Sequence, residues 1–183
     1  MAPLILASAS PRRRQLLESA GVVFEVRPAD LDERVHEAEA PRPYARRVAR
    51  EKALAVPGDR VLAADTVVSL DGAVLGKPAG PEEARSLLLA LSGRTHTVYT
   101  AVALRVADRL HERVCATQVG FRVLSERDIA WYLATGEPYD KAGGYGIQGH
   151  GGALVDRLRG SYTNVIGLPL RETLALLARF GGP

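Results

Sequence analysis

Short apolar runs and helix-period stretches follow one another along the chain, separated by glycine, proline and acidic breaks. The run LILA at 4–7 has strand length and is apolar throughout, the pattern of a strand buried on both faces. Residues 11–20 read as a helix that stops at Gly21, with Ser10 as N-cap, Pro11 in the first turn, and Leu16 and Leu17 beginning a buried stripe. VVFEVRP at 22–28 predicts a second strand, and the acidic stretch ADLDERVHEAEAPR leads into a helix over about 43–56. RVLAADTVVSL at 60–70 is β-branched and apolar, and Asp71-Gly72 signals a tight turn into AVLGKP. Pro81 opens a helix ending near Gly93, with Glu82 and Glu83 at the end where the helix dipole favours acids.

Two alternating segments, RTHTVYTAVALRV (94–106) and ERVCATQVGFRVL (112–124), predict paired strands. SERD at 125–128 resembles a capping box and starts a helix up to Gly136. The glycine-rich KAGGYGIQGHGG (141–152) leads to a strand in ALVDRL, and GSYTNVIGLP feeds a last helix over 170–180. No repeat or low-complexity linker divides the chain. The order of elements predicts an α/β fold: a mixed twisted sheet flanked by helices, built with crossovers and hairpins as one domain over 1–183.

Composition narrows the class of partner. With 183 residues, 46% hydrophobic and 25% charged, the chain can bury one good core. No apolar run has the length of a membrane span, and the lone Cys115 excludes an intramolecular disulfide; a cytoplasmic protein with no membrane partner is expected. A net charge of +3, 5% aromatics and the lack of zinc-finger spacing or a long basic tract argue against nucleic acid as partner. The choice of cation says more: Lys52, Lys77 and Lys141 are the only lysines among 24 Lys and Arg residues. A compact ammonium retained where arginine is the default suits contact with phosphate as a point charge.

Arg12, Arg13 and Arg14 stand at the start of the first helix, where the dipole repels cations at a cost of roughly 0.3–1 kcal/mol each. A bound polyphosphate resolves the conflict, since free N–H groups and arginines at a helix N-terminus together hold anions. Asp65 is an ionisable group inside an apolar strand, so it either caps a strand end or works as a metal ligand or general base. Glu33 lies in an acidic loop that spacing alone does not single out. Lys77 is held between Gly76 and Pro78, Lys52 sits in a helix beside Glu51, and Lys141 next to Asp140 reads equally as an ion pair bracing the glycine loop. Gln148 in that loop offers a donor and an acceptor to a base edge. Arg12, Arg13, Lys52 and Lys77 together oppose the roughly four negative charges of a nucleoside triphosphate, with a metal at Asp65 and Glu33 completing the balance. His36, His96, His111 and His150 lack metal-ligand spacing, no GxSxG or Walker motif occurs, and Cys115 reads as packed, so covalent catalysis has little support.

LASASPRRRQLL, REKA, AADTVV, LGKP, LSGRTHTVYTAVAL, DKAGGYGIQG and GSYTNVIGLPL, in that order, resemble the motifs of Maf-like nucleoside triphosphate pyrophosphatases over about residues 4–175. The resemblance implies an elongated, two-lobed α/β fold around a central cleft, similar to the inosine-triphosphate pyrophosphatase fold and usually dimeric. It implies hydrolysis between the α and β phosphates with a divalent ion, Mg²⁺ or Mn²⁺. By motif it assigns Asp65 as proton acceptor and Arg12, Arg13, Lys52 and Lys77 to the phosphates, with Ser8 among the substrate-binding residues; Glu33 follows by its offset as a metal ligand with Asp65. Arg12, Thr66 and Gln148 look like the branch acting on dTTP and UTP, whereas the 7-methyl-GTP branch tends to carry glutamate at the position of Gln148. Ala101 stands where the family commonly has glycine. A nucleotide-responsive protein regulating cell division is the alternative from another class, and a binder alone has no use for a water-activating carboxylate.

Overall fold

The computed structural model describes residues 2–181 and contains seven strands in one mixed sheet. The strands are β1 (Ile5–Leu6), β2 (Glu25–Val26), β3 (Arg60–Leu70), β4 (Ala73–Leu75), β5 (Thr95–Val106), β6 (Arg109–Phe121) and β7 (Val155–Arg159). The helices are α1 (Pro11–Ser19), α2 (Pro41–Ala55), α3 (Pro81–Leu91), α4 (Glu126–Ala134), α5 (Tyr162–Ile166) and α6 (Leu170–Leu176). Strand order is β2-β1-β3-β5-β6-β7, with β4 paired to β3. β1 runs parallel to β2 and β3, and the other pairs are antiparallel. The expected mixed sheet with flanking helices is therefore present.

One edge of β3 is continuous and the other is broken. Ten consecutive residues, Arg60 to Ser69, pair with β5. On the opposite edge Val61 and Leu62 pair with β1, and Val68 to Leu70 pair with β4. Residues 65–67 lie in the gap between these two partners. The β3–β4 turn places Asp71 at φ 51° and Gly72 at φ 83°, the two left-handed residues that a tight hairpin requires.

Period-two alternation then divides the side chains of β3 between two cores. Val61, Ala63 and Val67 pack with Ala45, Ala49 and Ala53 of α2. Leu62 and Ala64 pack on the other face with Leu17 of α1 and Leu176 of α6. Beyond the gap, Val68 and Leu70 join a third core with Leu88, Leu91, Ile129 and Tyr132 from α3 and α4. These cores lie on either side of the gap, and a cleft opens between them.

Several boundaries differ from expectation for local reasons. The strand expected at 22–28 is reduced to Glu25–Val26, because β1 offers only Ile5 and Leu6 to pair with it; Val22 and Phe24 pack on the core without a ladder. The second helix starts at Pro41 rather than 43, since proline is tolerated in a first turn. Ser10 is the N-cap of α1, yet its hydroxyl makes no capping bond; Ser8 Oγ accepts from the Ser10 N–H at 3.3 Å. ALVDRL begins in a 3₁₀ turn, GSYTNVIGLP contains α5, and the last helix widens after Leu176 into a π turn. Ser125 and Asp128 do form the capping box of α4.

His96 is 2% exposed and edge-on to Phe121, with Nε2 at 2.6 Å from Tyr145 Oη. Burial lowers its pKa from 6.5 to about 4. A pKa depressed by folding contributes stability that is full above 6.5 and lost as pH falls through about 4. The loss amounts to about 3 kcal/mol at one unit per 1.36 kcal/mol. Denaturant midpoints for the wild type should fall over this window, and those for His96→Phe should fall less; parallel curves would contradict the argument.

Candidate active site

The cleft has a volume of about 760 Å³, and Ser8, Arg12, Arg13, Glu33, Lys52, Asp65, Thr66, Lys77 and Gln148 all line it, whereas Arg14 does not. The alternation of β3 explains how two adjacent residues serve different walls. Asp65 shares the parity of Ala63 and Val67 and faces α2, where Lys52 sits in the last turn. Thr66 shares the parity of Ala64 and faces α1 and Arg13.

On the α2 side, Lys52 Nζ lies 3.0 Å from Asp65 Oδ1 and 2.9 Å from Glu33 Oε2. Lys52 and Asp65 are both buried, whereas the Glu33 side chain is 46% exposed. Burial raises the Asp65 pKa above the ordinary carboxylate value, and the charges of Lys52 and Arg13 pull it back part of the way. Glu51, the acid next to Lys52 in the helix, pairs with Arg47 at 3.1 Å. Arg47 also donates to Glu39 at 2.7 Å and to Arg34 O at 2.9 Å, while Tyr44 Oη donates to Glu33 O at 2.7 Å. α2 therefore anchors the irregular segment that carries Glu33. Burial, aided by Asp65 and Glu33, pushes the Tyr44 phenol up to about 12.

The three arginines of α1 diverge. Arg14 points outward to Glu18 at 2.7 Å, one turn along the helix. Arg12 stands at the rim, 3.7 Å from Asp140. Arg13 is buried and held by neutral acceptors: Nε donates to Gly167 O at 2.8 Å, Nη1 to Ser8 Oγ at 2.9 Å and Nη2 to Thr66 Oγ1 at 3.1 Å. Desolvation lowers its pKa from the usual guanidinium value. A guanidinium has five N–H groups, so two remain for the cleft.

Thr66 passes this order inward. Thr100 Oγ1 donates its only hydrogen to Asn164 O at 2.8 Å, so Thr66 is the donor in the 3.0 Å contact between the two hydroxyls. Asn164 Nδ2 in turn donates to Val98 O and Thr117 Oγ1, both at 3.0 Å. The hydrogen-bonded chain Arg13–Thr66–Thr100–Asn164, buried except at the half-buried Thr66, ties α1, β3, β5 and α5 together.

The opposite wall comes from the LGKP segment and the glycine loop. Lys77 is exposed and has no ion pair among the described residues. Lys141 is braced as its neighbour suggested, donating to Asp140 and to Glu137 O at 2.8 Å. Glu137 clamps the loop: its carboxylate accepts from His150 N at 2.9 Å and Gly151 N at 3.1 Å. A Cβ at Gly151 would lie 2.2 Å from Gly146 O, so this close approach requires glycine. Gln148 is exposed at the cleft mouth, and Val68, Val98, Ile147 and Val165 supply an apolar surface nearby.

A family model described as Maf-like protein matches residues 3–180. The chain belongs to this family. It is 59% identical over 188 positions to a dTTP/UTP pyrophosphatase of Anaeromyxobacter dehalogenans strain 2CP-1, covering 100% of this chain and 97% of the relative. A dTTP/UTP pyrophosphatase of Myxococcus xanthus is 55% identical over 98% of this chain and 93% of its own. One from Thermus thermophilus is 51% identical over 96% and 93%. A solved HAM1 protein structure from Coxiella burnetii aligns with a TM-score of 0.47 at 19% identity, covering 66% of this chain and 73% of that one.

Within the Maf-like site, sequence reasoning missed Glu137, Thr100, Asn164 and Tyr44 as supports. The faint signals are Thr100 pairing across the ladder with Thr66 and the Ser161 cap on Asn164 N at 3.2 Å. Cys115, read as packed, has its thiol pushed up to about 11 by burial and is no nucleophile near neutrality.

Proposed function

We propose that this chain hydrolyses dTTP and UTP between the α and β phosphates, releasing the nucleoside monophosphate and pyrophosphate. The observation that carries the reading is Asp65, a buried carboxylate of raised pKa that Lys52 holds through Oδ1 and that opens on a cleft rich in cations. The shared name of relatives at 51–59% identity supports the substrate class.

Asp65 orients a water molecule and takes its proton as the water oxygen bonds to the α-phosphorus. The bond from that phosphorus to the bridging oxygen breaks, and pyrophosphate departs. A raised pKa makes a carboxylate a better base near neutrality. Lys77 and the spare N–H groups of Arg13 stabilise charge on the departing group, and Arg12 completes the phosphate wall. Gln148 offers its amide to the pyrimidine edge.

Asp65 and Glu33 suit a divalent ion: both are hard oxygen donors, and they already converge on one cationic nitrogen. No group of three or more His, Cys, Asp or Glu side chains able to hold a metal occurs among the described residues. A pair of carboxylates fits Mg²⁺, which commonly keeps waters and takes its remaining ligands from phosphates. Such an ion would offset the charge on the phosphoryl oxygens. A homodimer belongs to the same reading and rests on the family resemblance, while a cytoplasmic location rests on the lone Cys115; no described helix is long and apolar enough to cross a membrane.

Pyrophosphate release measured over dTTP, UTP, CTP and 7-methyl-GTP with Mg²⁺ should favour dTTP and UTP. Lys77→Ala should lower kcat by at least about tenfold without moving the thermal midpoint, because Lys77 is exposed. Tight nucleotide binding with no turnover would favour the regulatory alternative instead.

A further inference from the structure

A second concavity, of about 740 Å³, lies between α2 and β6, and no residue lines both it and the cleft. Arg42, Arg46 and Arg50 stand along α2 at intervals of four residues, so they form one stripe with a rise of about 6 Å between neighbours. Arg113 projects from β6 into the same groove. Glu112 is the only carboxylate in its lining among the described residues, and Arg46 engages it at 2.8 Å. Arg47, at the margin, is occupied by Glu39 and Glu51. Arg42, Arg50 and Arg113 make no ion pair among the described residues.

This arrangement is electrostatically unfavourable in isolation. Like charges one turn apart on a helix repel each other. Arg42 adds a cation to a first turn that has no acid, where the helix dipole opposes it. Pro43 and Val114 are the remaining lining residues, so the groove offers no aromatic ring for a base to stack on. Recognition through charge and the planar fork of arginine alone suits phosphate groups.

We propose that this groove is a second anion site, separate from the cleft, and that it takes an inorganic polyphosphate chain. The chain lies along the α2 stripe, with its oxygens accepting from Arg42, Arg46 and Arg50 on one side and from Arg113 on the other. A chain of closely spaced phosphates supplies the charge density that three uncompensated guanidinium groups require.

The test is calorimetric titration of the full chain with inorganic polyphosphate of about 15 phosphates. Arg12→Ala/Lys77→Ala, which weakens the cleft, retains groove binding, and its affinity falls at least about tenfold between 50 and 200 mM salt. Arg42→Gln/Arg50→Gln/Arg113→Gln, which spares the Arg46–Glu112 pair, loses at least tenfold in affinity at this site, with unchanged pyrophosphate release in the cleft. Arg113→Gln alone shows a smaller loss in the same direction and reads the site even if the triple variant folds poorly. Affinity unaffected by either set of glutamine substitutions overturns the site. An RNA oligonucleotide with the same number of phosphates binds the groove several-fold more weakly; equal or tighter RNA binding overturns the assignment to an inorganic chain.

Discussion

Asp65→Asn should reduce pyrophosphate release by at least about a hundredfold, the scale of a lost general base, while the protein folds as well as before. Asparagine matches the carboxylate in shape and has no charge to desolvate, so it removes the burial cost that raises the Asp65 pKa. Lys52 retains Glu33 at 2.9 Å, which keeps its ammonium paired. Steady-state rates on dTTP, read beside thermal midpoints, separate the two effects. An unchanged rate would remove Asp65 from the chemistry. A collapsed midpoint would recast it as a structural residue.

The second large effect concerns the other member of that pair. Lys52→Met fills much the same volume but leaves Asp65 buried without its nearest counter-ion. Breaking a buried pair from one side costs about 3–5 kcal/mol, and Arg13 nearby favours the lower figure. At about 2–4 °C per kcal/mol for a chain of this size, the thermal midpoint should drop by about 6–12 °C at pH 7.5. The sign of the pH dependence follows from the charge. Without Lys52 the folded-state pKa of Asp65 rises further, so the loss is full above that pKa and shrinks as pH falls and the carboxyl protonates. Lys52→Met/Asp65→Asn should recover most of the stability. A single variant as stable as the wild type at pH 7.5 would contradict the pairing.

Elements whose pattern is local were legible in the sequence. β3 declared itself through a run of β-branched and apolar residues, the Asp71-Gly72 turn through its left-handed pair, and α4 through its capping box. β2 was overestimated because its length depends on what β1 can pair, a property of another segment. α5, only five residues long, lacks enough turns to show a period. Asp65, Arg12, Arg13, Lys52 and Lys77 stand out because they break local rules: an acid in an apolar strand, arginines against a dipole, lysines among arginines. Ser8, Glu33 and Thr66 obey those rules and follow only from the family resemblance. Glu137, Thr100 and Asn164 break none. A threonine in a strand is ordinary, and only the fold reveals that it relays order to Arg13.

The pleat of β3 has a consequence for how this chain can change. Inserting or deleting a single residue upstream in the strand would preserve both the acid and its neighbouring hydroxyl but exchange the sides on which they emerge. The acid would then be delivered to the arginine and the hydroxyl to the lysine, with every nominal ingredient still in place. Such frameshifts within 60–64 should therefore be far less tolerated than substitutions there.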